Sequence, residues 1–496
     1  MRYGLLGPLA ARPITLRMLI QTFGQGPLPD SRAALYAAAM THMVADPRPN
    51  APPERPRERL AAAGRVAAAL MLTGRAAVEL DPTHEAADTI PLRELIGPER
   101  DQSGAWPMDE RHLKDALCDT PVFVASGATS RRFGHHTFAE YLAARHLLDH
   151  GYHGQRALDL LRPAGSVRVA PPLRGLATWM AALDEDAKNL LVDADPATLV
   201  YADPGALSDD LRARLVVAYL DAIARGDEPE PTFSPFPRSL AHPGLHTQLA
   251  RRLKRPERRA GVDPIQDLMV RRTALRLARE ASVITLALQA LRIATDRQEP
   301  DPLRQEAARA AAALDPEATH VDPWRRLAHG EAGPDPDHER RGVALAVLWR
   351  ARRAEVDLHR ALDITPSIAH FGAFTLFLDK LADDLSPDHL PVVVGALRRW
   401  DRHAAEVAEL RARVWAWSWE RAATSPEARA YIVEELLDDR ALPPPVPHVT
   451  AKERRSVLDD LVADPGCDEH DLGGLMAGTI GLVTHADHPW AIARRK

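Results

Sequence analysis

Residues 132–144 read RFGHHTFAEYLAA, which joins the end of a strand-like segment to the start of a helix. Thr137 and Glu140 have the S/T-x-x-E spacing of a capping box, in which each side chain accepts a hydrogen bond from a backbone N–H of the first turn. This spacing predicts a helix that begins at Thr137, with Glu140 facing solvent. Four residues at three- and four-residue spacing form the face expected to pack inward, namely Phe138, Tyr141, Leu142 and Arg145.

A histidine stands at the joint between the two segments. His135 precedes the helix, where the unpaired backbone N–H groups of the first turn favour an anion and an imidazole adds a further donor. Upstream, two apolar segments at 122–125 and 131–133 flank the small residues 126–129, which predicts a short β-hairpin. Helices that lead into a hairpin and then a capped helix are typical of a winged helix. His135 equally suits a purely structural role, satisfying the hairpin or the cap.

Composition favours a helical protein of several domains. The 496 residues are 45% hydrophobic but only 5% aromatic, and a chain of this length exceeds what one hydrophobic core usually organises. Abundant alanine, leucine and arginine favour helix. The net charge of −6 gives no overall attraction to nucleic acid or to anionic lipid.

The sequence carries no signal for export or membrane insertion. Cys118 and Cys467 are too few for a disulfide framework or a cysteine zinc cluster. The apolar segment 5–23 is interrupted by Arg12 and Arg17, which favours an amphipathic helix over a signal peptide, and no apolar run is long enough to span a bilayer. We therefore expect a cytoplasmic protein that does not contact the membrane.

Helices are predicted on both sides of the hairpin. Before it, we expect helices at 14–23, 31–44, 57–80 and 107–117, the third interrupted at Gly64 and Gly74. From residue 158 onward, helices rarely exceed about 15 residues and alternate with Asp-Pro pairs, which end one helix and start the next. Segments 272–281, 284–295 and 303–314 form tandem helix pairs of the kind found in an α-solenoid. The fold class is therefore mainly all-α, with a helical domain, a winged helix containing a short β-hairpin, and a HEAT-like solenoid.

These residues resemble a known family, the NACHT-type signal-transducing (STAND) NTPases. Their winged helix has the pattern F-x-H-x-S/T-F-x-E-Y/F-L-A-A, and residues 133–144 match every fixed position. Segments 9–16 and 28–36 are similar to the helical domain that follows the family's nucleotide core, and segments 173–179 and 241–245 are similar to its helical arms. The resemblance implies a helical domain at 1–50, a winged helix at 51–155, a helical arm at 156–260 and HEAT-like repeats at 261–496.

The resemblance also implies a nucleotide-binding role for two residues. Pro13 would pack against the adenine, and His135 would contact the β-phosphate of bound ADP and hold a closed state. Pro13 is otherwise an ordinary first-turn proline. No lysine follows a glycine, so the sequence lacks a G-x-x-x-x-G-K-S/T loop to bind phosphates. ADP or ATP would bind only if another chain supplied a P-loop core, and no cofactor is expected in isolation.

Other chemistries have weaker support in the sequence. Several histidines (His135, His136, His146, His150 and His153, with Glu140) include helical i,i+4 pairs suited to metal, but no H-E-x-x-H occurs and the ends of a helix about 20 Å long cannot close one tetrahedral site. We therefore predicted no metal site. The basic run at 251–259 and the wing residues Arg131 and Arg132 favour a nucleic-acid partner only weakly. No catalytic motif is present, so we expect no enzyme activity.

The combined prediction is the regulatory and sensor portion of a NACHT-type signalling or anti-phage defence ATPase, non-catalytic on its own. Its helical repeats would bind protein partners, either the NTPase core or a trigger protein. Two alternatives remain open at this point. One is an α-solenoid interaction scaffold with an inert winged-helix remnant, and the other is a winged-helix protein that binds nucleic acid.

Overall fold

The fold is mainly helical, as predicted. The computed structural model describes residues 31–45, 55–84, 86–101, 104–200, 207–229, 238–255, 263–364, 372–400, 405–421 and 424–437. The predicted helix at 14–23 and Pro13 lie outside these residues. The chain divides into two compact units, Met1–Gln248 and Leu249–Lys496, which are described separately below.

The first unit contains helices, a small sheet and a second hairpin. Its helices are α1 (Arg32–Val44), α2 (Arg55–Thr73), α3 (Glu110–Asp119), α4 (His136–Asp149), α5 (Gly154–Leu161), α6 (Arg174–Leu183), α7 (Glu185–Ala194), α8 (Pro196–Val200) and α9 (Asp209–Ala224), and the next helix, α10 (Leu245–Arg252), spans the division. Its strands are β1 (Ala77–Glu79), β2 (Thr89–Pro91), β3 (Gly97–Asp101), β4 (Gly104–Met108), β5 (Phe123–Ala125) and β6 (Ser130–Phe133).

The predicted hairpin is confirmed, and it belongs to a larger sheet. Strands β5 and β6 pair antiparallel with Phe123 opposite Phe133. The sheet order is β2-β1-β6-β5, in which β1 pairs parallel with β2 and antiparallel with β6. The prediction that the helix starting at residue 57 continues to residue 80 was wrong. Helix α2 ends at Thr73 because Gly74 adopts φ +69°, the left-handed conformation that terminates helices, and β1 follows.

Helix α4 lies at the centre of the first unit, packed between α2 and α6. Phe138, Tyr141 and Leu142 are buried, as the periodicity predicted. The prediction that Arg145 packs inward was wrong, because its side chain is 40% exposed and pairs with Asp149 one turn further on. Helices α2 and α4 approach closely where α2 carries Gly64.

Side chains cap two further helices of the first unit. Ser31 caps α1 through its side chain, which accepts a hydrogen bond from Ala34 N. Asp109 caps α3 and forms a reciprocal capping box with His112. Arg59 on α2 is only 2% exposed and reaches Asp115 on α3, whose carboxylate also accepts a hydrogen bond from Arg55. This ion pair ties α2 to α3.

In the second unit, successive helices contact one another in the pattern of an α-solenoid. Its helices are α11 (Pro264–Glu280), α12 (Ala287–Thr295), α13 (Asp301–Leu314), α14 (Val321–Ala328), α15 (Glu339–Ala351), α16 (Leu358–Ala361), α17 (Ala373–Asp383), α18 (Leu390–Arg399), α19 (Ala405–Arg421) and α20 (Pro426–Leu437). Helices α11, α13, α15, α17 and α19 each contact the next in a row, and α12 packs against α13 and α14. Each helix therefore buries its apolar face against its neighbours.

Buried arginines join successive helices of this row. Arg271 on α11 donates two hydrogen bonds to Glu299, at 2.7 and 2.6 Å. Arg304 on α13 donates to the carbonyl oxygens of Ala294 and Ala332. Carbonyl groups in a loop or in the last turn of a helix have no helical partner, so the Arg304 guanidinium satisfies backbone acceptors inside the stack.

The three tryptophans of α19 lie on two sides of the helix. Trp415 and Trp419 share a buried face with ring centroids 5.7 Å apart. Trp417 points elsewhere, with the Arg421 guanidinium 4.7 Å from its ring centroid. The first two rings are therefore core residues of the second unit.

Candidate functional site

His135 is the N-cap of α4. Its backbone is extended (φ −149°, ψ 139°), and its Nδ1 accepts a hydrogen bond from Thr137 N at 3.2 Å. The prediction that Thr137 is the cap was therefore wrong by two residues. The reason lies in the hairpin, since Gly134 N donates to Val122 O at 2.9 Å and keeps the chain extended up to His135. The imidazole then replaces a hydroxyl as the capping acceptor.

Hydrogen bonds to Nδ1 determine which nitrogen of His135 carries the proton. Tyr36 on α1 donates its O–H to Thr137 Oγ1 at 3.0 Å, and Thr137 Oγ1 lies 2.8 Å from His135 Nδ1. Thr137 N donates to Nδ1, so Nδ1 is an acceptor, and the threonine O–H can donate to the same nitrogen. The neutral imidazole therefore carries its hydrogen on Nε2. Within the described part of the chain, this nitrogen has no hydrogen-bond partner.

An aromatic cluster attaches α1 to α4 and α6. The ring of Tyr36 lies 4.5 Å from that of Trp179 on α6 and 5.6 Å from that of Tyr141 on α4. All three rings are buried. The Arg32 guanidinium stacks over Trp179 at 4.2 Å. The position of α1 thus determines whether Tyr36 reaches Thr137, and the sequence alone gave no indication of this contact.

Glu140 is part of this packing. Its side chain is only 13% exposed, so the prediction that it faces solvent was wrong. Its carboxyl occupies space left by Gly175 at the start of α6, where a Cβ would come within 1.8 Å of Oε1. Burial raises the pKa of Glu140, while the nearby charges of His136 and Arg32 oppose the rise. The carboxyl therefore lies between α4 and α6 and does not return to the cap.

The wing does not present its two arginines together. Arg131 and Arg132 are neighbours on β6, so their side chains leave opposite faces of the sheet. Strand β6 lies between β1 and β5, whereas the tip of the hairpin consists of residues 126–129. Arg131 Nη1 donates to Ser130 O at 3.1 Å. This arrangement disfavours a nucleic-acid contact made by both arginines at the wing tip.

The histidines considered as metal ligands separate into different environments. His136 Nε2 lies 3.3 Å from Glu140 Oε1, and His153 Nδ1 lies 3.5 Å from Asp184 Oδ1. His146 and His150, at the other end of α4, lie close to a third candidate ligand that no sequence pattern indicated, Glu99 on β3. Only the pairing of β3 with β4 brings this carboxylate to the helix.

Comparisons with known proteins returned no match among protein-family models, curated proteins or solved structures. Within the described residues, no helix is both long and apolar enough to cross a membrane.

Proposed function

We propose that this chain is the regulatory and sensor portion of a NACHT-type signalling ATPase, with no catalytic activity of its own. In this proposal, His135 donates its Nε2 hydrogen to the β-phosphate of ADP held by a P-loop core. The solenoid of the second unit binds the protein that triggers signalling. Pro13 is assigned to the adenine by the family resemblance alone.

The observation that supports the proposal best is the hydroxyl chain from Tyr36 to His135. With Nδ1 as an acceptor, Nε2–H is the free donor of a residue that is the N-cap of α4, a helix end whose backbone N–H groups favour an anion. A phosphate oxygen fits this donor set. The same chain depends on α1, so movement of α1 away from the winged helix would release the imidazole. Nucleotide state and helix position would then be coupled through one side chain.

The experiment begins with affinity purification of the tagged chain from its host, followed by identification of bound proteins and extracted nucleotide. We expect a P-loop protein and ADP in the purified complex, and no ATP turnover above the blank for the isolated chain. Replacing His135 with alanine removes a hydrogen bond to a charged group, so the ADP affinity of the complex should fall about tenfold or more.

A matched control is the adjacent histidine. His136 is 67% exposed and pairs with Glu140, so His136→Ala should leave ADP retention unchanged. Inspection of the coding region immediately upstream for a G-x-x-x-x-G-K-S/T loop, in frame, frameshifted or in a neighbouring gene, gives an independent check. If no P-loop protein co-purifies and none is encoded upstream, or if both histidine variants retain ADP equally, the proposal is wrong.

A second candidate function is a solenoid interaction scaffold with an inert winged helix. The favouring observation is that Nδ1 of His135 already caps α4, a structural role that needs no ligand. In that case, His135→Ala should lower stability by about 1 kcal/mol through loss of the cap and change no binding property. Thermal melting of both histidine variants, run alongside the ADP measurement, distinguishes the two functions.

A further inference from the structure

Three potential metal ligands converge where hairpin β3–β4 meets the C-terminal end of α4. Glu99 comes from β3, and His146 and His150 lie one helical turn apart. One ligand atom from each residue can be chosen so that all three lie within 4.8 Å of one another. His150 Nε2 is 2.7 Å from Glu99 Oε1, and the two imidazole centroids are 4.1 Å apart. Two imidazoles and one carboxylate form a donor set that zinc prefers.

Surrounding hydrogen bonds orient two of these side chains. His150 Nδ1 lies 2.7 Å from His146 O and donates its hydrogen to that carbonyl, which directs Nε2 at Glu99. Metal-binding histidines usually have this kind of backbone partner on the other ring nitrogen. Glu99 is held in turn, because Oε2 accepts from Arg65 Nε at 2.9 Å and Oε1 accepts from Arg100 N at 3.0 Å. The orientation needed for ligation therefore exists without a metal.

His146 packs against α2 where residue 64 is glycine. A Cβ at that position would lie 3.0 Å from His146 Cβ and 3.4 Å from its Nδ1, so the imidazole is held close to α2.

The cluster opens into a cleft of about 230 Å³ between α2, α4 and β3. This volume accommodates water or a small ligand beside three protein ligands. Arg57, Arg100 and Arg145 line the same cleft together with Asp149, which pairs with Arg145. Arginines outnumber this carboxylate, so a fourth ligand that carries negative charge is favoured there. A site with three protein ligands and one open position differs from a closed structural zinc site.

We propose that Glu99, His146 and His150 bind one divalent transition-metal ion, with zinc the best fit, and leave its fourth coordination position open to the cleft. Ligand atoms in a tetrahedral zinc site lie about 3.3 Å apart, given bonds of about 2.0 to 2.1 Å. The 2.7 Å separation of His150 Nε2 and Glu99 Oε1 must therefore widen by a few tenths of an ångström on binding. This inference departs from the prediction that the chain has no metal site, and it does not depend on the proposed function.

The competing structure is a hydrogen bond between two of the same groups. With no metal, a proton between His150 Nε2 and Glu99 Oε1 makes them a hydrogen-bonded pair. That pair accounts for the 2.7 Å contact but involves His146 only as a carbonyl acceptor. If the three residues bind a metal, the His146 imidazole is required for zinc affinity. If His150 and Glu99 only form a hydrogen bond, replacing the His146 imidazole has no effect on metal binding.

The experiment is zinc titration of the full chain by calorimetry after chelator treatment and dialysis, with Cys118 and Cys467 replaced by serine to remove thiol binding. We expect one equivalent of zinc bound with micromolar or tighter affinity, and an increase in melting temperature with zinc. Cobalt(II) in place of zinc should give the visible absorption of a tetrahedral site. Both His146→Ala and His150→Ala should weaken zinc binding about 100-fold or more.

The matched control is His153→Ala, since His153 is 54% exposed and pairs with Asp184 away from the cluster. This variant should bind zinc like the parent protein. Circular dichroism of every variant establishes that the fold is retained. His146→Gln, which keeps the side chain's bulk, replaces any alanine variant that unfolds. The absence of saturable zinc binding, or equal zinc affinity in the His146, His150 and His153 variants, would overturn the proposal.

Discussion

Gly342 on α15 offers the sharpest test of how the second unit is packed. A Cβ at this position would lie 2.0 Å from Phe374 N and 2.3 Å from Ala373 C, both backbone atoms at the start of α17. An ordinary contact needs about 3.4 Å, so Gly342→Ala must separate the two helices by about 1.4 Å. Backbone atoms of a packed helix cannot rotate aside as a flexible side chain can, so the whole helix has to move.

The expected magnitude follows from two opposing effects. Replacing glycine by alanine inside a helix stabilises the helix by about 1 kcal/mol. Overpacking a well-packed core destabilises it by about 1 to 3 kcal/mol, and a clash with backbone atoms favours the upper end of that range. Gly342→Ala should therefore lower the free energy of unfolding of the second unit by about 2 kcal/mol. For a unit of this size, the melting temperature falls by about 2 to 4 °C per kcal/mol.

Gly395 provides the matched control in the same unit. It lies inside α18, and the nearest atom to a Cβ there is Arg399 Nη1 at 3.7 Å, an ordinary contact at the end of a flexible side chain. Gly395→Ala should therefore stabilise the unit by about 0.5 to 1 kcal/mol. Chemical denaturation measures both variants, and hydrogen exchange of peptides from α15 and α17 localises the change. If Gly342→Ala were as stable as Gly395→Ala, the close approach of α15 and α17 would be incorrect.

Three further predictions concern the first unit. Burial alone would raise the pKa of Asp115, but its two arginine partners outweigh burial and hold the pKa well below its ordinary value. The stability that this carboxylate contributes is therefore complete above the unfolded pKa of about 4, and it is lost as the pH falls from there toward the lower pKa of the folded state. Asp115→Asn should lower the free energy of unfolding by about 3 kcal/mol at pH 7 and make it depend less on pH in the acid range. If urea melts show the same loss of stability at acid pH in the variant and the parent, this account is wrong. Tyr36→Phe should lower the free energy of unfolding by about 1 kcal/mol, because it removes the hydrogen bond to Thr137. A melting temperature equal to that of the parent protein would show that this bond contributes nothing to stability. Gly64→Ala should displace His146 by a few tenths of an ångström and weaken zinc binding about tenfold, an effect that calorimetry would fail to find if the imidazole were not a ligand.

Local sequence patterns determined much of the secondary structure. The helical composition, the hairpin at residues 122–133 and the caps at Ser31 and Asp109 all depend on residues within a few positions of one another. Hydrophobic periodicity likewise identified Phe138, Tyr141 and Leu142 as the buried face of α4. These signals are reliable because each concerns one turn of helix or one tight turn of chain.

Tertiary structure decided the features on which the proposed function and the proposed metal site depend. The cap of α4 moved to His135 because pairing of β5 with β6 keeps the preceding chain extended, and Glu140 became buried because α6 carries a glycine opposite it. Glu99 meets His150 only through the pairing of β3 with β4. The sequence by itself determined which segments are helical and where turns occur, since those preferences are set by neighbouring residues. Which distant side chains share a site was decided by packing, because such contacts depend on long-range geometry that no local pattern encodes.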